Sequence, residues 1–122
     1  MPKPESVTDG TTLDLTEIER EMRAEDVYQR EGHGARTLIR EGDLRVVLIA
    51  MKPGSRIAAH QTGATVSIHA IRGHARLQVK ERTVELRANS LLVLAGGLEH
   101  DVEAIAETAL LLTLGGPVHD TK

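Results

Sequence analysis

Six histidines and no cysteine make imidazole the chemistry this chain offers most readily, as a metal ligand, a proton carrier or a hydrogen-bonding group, and remove thiolate chemistry altogether. Position separates the six. His33 lies between two glycines, His74 follows Gly73 and His119 stands in a polar tail, so each reads as a solvated surface residue. His60 and His100 differ. Side chains alternate between the faces of a strand, so His100 shares a side with Val102 and Ala104, while Asp101 and Glu103 lie opposite. By the same count His60 shares a side with Ala58, and Arg56 would join them, bringing to the mouth of any pocket a guanidinium suited to a carboxylate or phosphate. An imidazole on an apolar strand face points inward. There it is a hydrogen-bonded core residue, or half of a site if a second one meets it.

The segments that must position these residues are short. From residue 35 the chain reads as runs of β-type residues at 35–40, 44–52, 57–61, 65–71, 75–79, 83–86, 91–95, 100–105 and 109–114, punctuated by Gly, Asn, Asp and Pro. Nine runs with no room for crossover helices predict an all-β antiparallel sandwich or barrel. Leu77 and Val79 point in against Arg76, Gln78 and Lys80, and Val84 and Leu86 point in against Thr83 and Glu85. The runs 46–51, 91–94 and 110–112 are apolar on both faces, which asks for a cover on the second face. A helix supplies part of it: Thr16 and Glu19 have capping-box spacing, with Leu15, Ile18 and Met22 at helical intervals, predicting one short helix over 17–23. A second copy of the chain supplies the rest, so a homodimer is expected. The resulting division is a flexible tail at 1–12, a helical arm at 13–34, a β-body at 35–116 and a tail at 117–122.

Composition narrows the function classes. At 122 residues the chain forms about one domain. Fifteen basic against eighteen acidic residues leave a net charge of -3 without a basic stripe, a poor footprint for nucleic acid. No apolar run approaches the length of a membrane span, and cysteine-free sequence suits a reducing cytoplasm, where the protein is expected. The one aromatic residue, Tyr28, leaves no ring platform for stacking sugars or bases. No Gly-rich loop leads into a helix for phosphate binding, and no serine has a nucleophile-elbow context.

Spacing around the two inward histidines resembles the cupin superfamily. Gly54, five residues, His60 and a strand closing at Gly73 resemble the first cupin motif, which runs Gly, five residues, His, one residue, His, three or four residues, Glu, six residues, Gly. The run Ala95-Gly96-Gly97-Leu98-Glu99-His100 resembles the second, whose core is Pro, one residue, Gly, two residues, His. The resemblance implies a cupin-type antiparallel β-barrel or jelly roll (double-stranded β-helix) of the RmlC-like kind, with the N-terminal helix attached. It also implies a divalent metal held by three histidines and a glutamate, of which this chain keeps His60 and His100. Thr62 stands where the second histidine would be and Val66 where the glutamate would be, making this a degenerate site.

The ligand pocket is therefore expected around His60, His100, Thr62, Val66 and Arg56, with His60 and His100 as the available metal ligands. Three readings follow: a small-molecule binder; a two-histidine metal enzyme of dioxygenase or isomerase type using Zn, Fe, Mn, Ni or Cu; or a structural cupin that has lost its site. Whether the protein is an enzyme stays open, since zinc and iron centres ordinarily take at least three protein ligands. His69 alternates with Val66, Ile68 and Ala70 and so belongs to the opposite face, at a sheet surface or dimer contact.

Overall fold

The computed structural model describes residues 3–4, 7, 9–60 and 63–116, with the backbone alone of Ala59 and His60. Two helices open the chain. Helix α1 (Leu15–Arg23) begins two residues earlier than the capping box at Thr16 predicts, because Asp14 is the cap: its carboxylate accepts from the Glu17 amide at 3.1 Å. Asp14 and Glu17 have the same spacing as Thr16 and Glu19, and a carboxylate also complements the positive end of the helix. Helix α2 (Asp26–Glu31) was not expected; six residues burying only Tyr28 are too few to show a period, and Gly32 ends it at φ 86°.

All nine expected strands form: β1 (His33–Glu41), β2 (Leu44–Met51), β3 (Arg56–His60), β4 (Thr65–Arg72), β5 (His74–Val79), β6 (Arg82–Arg87), β7 (Leu91–Leu94), β8 (His100–Ala104) and β9 (Thr108–Gly115). They pair antiparallel in two sheets, ordered β1-β2-β9-β4-β7 and β3-β8-β5-β6, packed face to face as a jelly roll. Ile68, Ala70, Leu77, Ala104 and Leu110, none more than 1% exposed, fill the space between them. Each large side chain so buried contributes about 1.5–3 kcal/mol.

The doubly apolar runs divide as period two requires. Val47, Ile49 and Met51 of β2 face the second sheet, whereas Val46, Leu48 and Ala50 face the helices and join Met22 and Tyr28 in a second core. Ion pairs fasten the helical arm over this face. Glu19 of α1, 8% exposed, accepts from Arg72 of β4 at 2.5 Å and from Arg23 at 2.7 Å. Arg36 of β1, itself buried, donates to Glu21 at 3.0 Å and Glu25 at 2.8 Å. The cover stops short of β7, where Leu91 and Val93 remain 61% and 57% exposed.

Candidate functional site

Strand β8 behaves as its alternation predicts. His100, Val102 and Ala104 are buried, and Asp101 and Glu103 turn to the outer face. On one side His100 is the register partner of Val79 on β5, and on the other of His60 on β3. Strand β3 reaches that pairing through a bulge. Ile57 pairs with Val102, but the next pair is His60 with His100, so β3 spends three residues where β8 spends two. Two backbone bonds anchor the base of β3 to β8: Gly54 N donates to Ala104 O at 2.8 Å, and Ala104 N to Ser55 O at 2.9 Å. The Pro53-Gly54 turn thus sets where the strand starts, and the bulge sets where its histidine stands.

The His100 ring is oriented from its own chain. Nδ1 lies 3.3 Å from the Leu98 carbonyl, which can only accept, so Nδ1 carries the hydrogen and Nε2 of the neutral ring is an acceptor. His100 also lines a cavity of about 20 Å³ between the sheets, otherwise walled by aliphatic side chains including Ile49, Ile57, Ile68, Val102 and Leu110. That volume holds one water molecule or one methyl group.

The connections carrying the two motifs meet at this end of the sandwich. A Cβ on Gly96 would lie 2.3 Å from the Gly63 carbonyl oxygen, so glycine at 96 lets the loop before β8 rest against the turn before β4. At the far end of β4, a Cβ on Gly73 would lie 2.2 Å from Glu107 O and 2.6 Å from Thr108 Oγ1, and Gly73 also adopts φ 89°. Thr108 Oγ1 accepts from the His74 amide at 3.1 Å, which ties this corner together.

Of the other expected pocket residues, Thr62 lies outside the described residues. Val66 is 3% exposed and belongs to the core between the sheets. Arg56 is a correction: its guanidinium is 61% exposed and lies 3.6 Å from Asp101 and 3.5 Å from Glu103 on the outer face. Strict alternation from Arg56 through Ala58 to His60 fails because the bulge intervenes. Ile57 is the residue that packs against the core, while Ala58 is exposed. His69 lies on the outer face as expected, in register with Leu91 and Leu111.

Two histidines read as solvated are not. His33 is half-buried opposite Met51, and its Nδ1 is inaccessible and has no hydrogen-bond partner among the described residues. His74 is 16% exposed and holds Glu85 at 2.6 Å. Flanking glycines suggested turns, but both residues begin strands whose neighbours cover them. His119 lies outside the described residues.

The donor set does not fit the four-ligand centre that the cupin resemblance implies. A buried valine occupies the carboxylate position and brings no donor, and among the described residues no group of three histidine or acidic side chains converges. With backbone alone described at His60, the remaining donor with a defined ring is His100.

Among solved structures, the chain is similar to a conserved Streptococcus pyogenes protein of unknown function (21% identity, 98% of each chain covered, TM-score 0.74). It is also similar to a cupin superfamily protein of Desulfitobacterium hafniense (11% identity, 68% of this chain and 76% of that one, TM-score 0.65). Salicylate 1,2-dioxygenase of Pseudoaminobacter salicylatoxidans matches at 12% identity over 87% of this chain and 35% of its own length, with TM-score 0.77. At such identities these likenesses establish the fold. No curated protein matches in sequence. Residues 45–114, from β2 through β9 and including both histidine motifs, match the AraC-like ligand binding domain. That stretch is more than half of the chain, and with the jelly roll and its cupin likenesses it identifies the protein as a small cupin of the AraC-like ligand binding domain family.

Proposed function

We propose that this cupin binds a small organic molecule between its sheets, with His60 and His100 as the hydrogen-bonding pair. The register of His60 against His100 carries the reading. The backbone of His60 stands directly opposite His100, and His100 faces inward beside a cavity. His100 puts a polar ring into a cavity wall that is otherwise aliphatic among the described residues. The family match to a ligand binding domain supports the same reading.

The competing reading is a two-histidine metal enzyme, and the likeness to a dioxygenase fold favours it. The valine at the carboxylate position counts against it, since the ligand set then falls below three. Metal analysis of untagged protein purified without chelator separates the two. Less than about one-tenth equivalent, with no thermal shift on adding Zn, Fe, Mn, Ni or Cu, supports the metal-free reading; stoichiometric metal lost in His60→Ala overturns it. The reading itself is tested by a metabolite screen for ligand-dependent thermal shifts, in which His60→Ala should abolish any hit while leaving the melting of the free protein intact.

The exposed Leu91 and Val93, with His69 beside them, support a homodimer formed through the outer face of the five-stranded sheet around β7. Among the described residues no helix is long and apolar enough to cross a membrane, and the cysteine-free chain is compatible with the cytoplasm.

A further inference from the structure

Resting on the dimer proposed through the face around β7, we infer how the copies join: β7 of one chain pairs antiparallel, edge to edge, with β7 of a second copy. The two five-stranded sheets then run into one. β7 is the last strand of its sheet, and among the described residues no strand pairs with its open side. Just before the strand, Ala70 N donates to Ser90 O at 3.0 Å, and bonding direction alternates from residue to residue along an antiparallel pair. Leu92 and Leu94 therefore bond to β4, while the N–H and C=O of Leu91 and Val93 point to the open side. These are the two residues of β7 whose side chains are exposed. Apolar surface and backbone groups aimed outward thus come from the same pair.

The occupant is a second copy because the strand complements itself. A two-fold axis at Leu92 sets Leu91 opposite the partner's Val93, so each outward N–H and C=O meets one in return and the exposed side chains pack together. Such an axis also brings like residues close to one another, which charge would oppose. Residues 90–95 hold no Lys, Arg, Asp or Glu, and neither do the adjoining outer positions Ser67, His69, Leu111 and Thr113. The other three sheet edges are guarded. β1 carries Arg36, Arg40 and Glu41, β3 carries Arg56, and β6 carries Arg82, Glu85 and Arg87, and charges of this kind keep edge strands from pairing with other chains. β7 is the edge left without them.

The test measures self-association of the full chain by sedimentation over a concentration series. Val93→Pro keeps an apolar side chain but lacks the N–H aimed at the open side, and it costs the pairing with β4 no bond. It should weaken the dimer about thirtyfold, the equivalent of one net hydrogen bond from each copy, whereas Val93→Ile, which keeps the N–H, should leave it within about threefold. If Val93→Pro dimerises like the parent, or Val93→Ile weakens the dimer as much, edge pairing is overturned and the dimer through the outer face stands. If the parent is a monomer throughout, both fall. Where Val93→Pro does not fold, Leu92→Cys decides. It gives this cysteine-free chain one thiol at the proposed axis, about 4.5 Å between Cα atoms from its mate, within the span of a disulfide. Mild oxidation should then yield a cross-linked dimer. Failure to cross-link overturns the pairing, and face-to-face stacking predicts that failure, since Leu92 packs toward the core of its own sheets.

Discussion

His60 and His100 are register partners across β3 and β8, brought opposite each other by one extra residue in β3 after Ile57. Removing Ala59 eliminates that extra residue, so pairing continued from Ile57 would no longer bring His60 opposite His100. We expect the deletion to abolish ligand-induced thermal shifts while the far-ultraviolet circular dichroism stays that of a β-protein. A deletion variant that still responds to ligand would separate the bulge from the site.

His100 is buried, with Nδ1 3.3 Å from the Leu98 carbonyl. Replacing it with leucine removes a buried polar ring and substitutes an aliphatic side chain, a change of within about 1 kcal/mol in either direction, read by urea denaturation. Ligand binding should weaken in the same protein by the equivalent of about one net hydrogen bond. A loss of several kcal/mol would mark the ring as a structural hydrogen-bonding residue.

The motif glycines should separate by their surroundings. Gly54 and Gly73 both adopt positive φ, but a Cβ at Gly54 meets nothing within 4 Å while one at Gly73 strikes backbone. Gly54→Ala should cost about 1 kcal/mol, the penalty of the left-handed conformation, and Gly73→Ala at least about 2 kcal/mol. Gly96→Ala should act on the site, because the new methyl group must push the Gly63 turn away from the loop that leads to His100; ligand affinity is the measurement.

Glu19 makes the docking of the helical arm pH-dependent. Burial pushes its carboxyl up, but hydrogen bonds from Arg72 and Arg23 outweigh this and leave it below its ordinary value of 4.5. A carboxyl lowered in the folded state contributes stability that is fully present above the unfolded value. That stability is withdrawn as pH falls through the folded one. Stability should therefore hold from neutrality to about pH 5 and fall below it. In Glu19→Gln this acid dependence should shrink, with a loss of about 1.5–3 kcal/mol at pH 7. Chemical denaturation at several pH values measures both.

Leu91 and Val93 should govern self-association. Leu91→Lys with Val93→Lys is expected to convert a dimer to a monomer in light scattering without lowering the melting of dilute protein, since neither side chain enters a core. Two charges on the outer face of an edge strand oppose pairing with another chain. If the parent elutes as a monomer, the dimer proposal fails at once.

Period two was the strongest signal in the sequence, and it held wherever a strand kept regular pairing. Strands β4, β5 and β8 bury the residues it assigns to the core, because a strand half in water has a single way to hide its apolar side. The same period places His69 outside. It misplaced Arg56 because a bulge changes the parity of a strand without leaving a composition mark: Ile57-Ala58-Ala59-His60 reads as regular alternation. The first helix was legible through its apolar spacing, but Asp14 and Thr16 offered equivalent caps, and only packing on the sheet selected one. His33 and His74 beside glycines looked like turn residues, and the burial of each comes from neighbours distant in sequence.

The sequence alone therefore determined the architecture: nine short strands, an aliphatic interior, one helix laid across a doubly apolar face, and an inward His100 that stands with His60 in cupin spacing, with threonine and valine at the two other ligand positions. These are local properties, written in alternation and in turn residues. Tertiary structure decided which residues meet. The opposition of His60 and His100, the exclusion of Arg56, the close approach of Gly96 to Gly63 and the bracing of Glu19 by Arg72 all depend on register between strands far apart in the chain. Register is fixed by the summed packing of whole sheets, so no single stretch of sequence displays it.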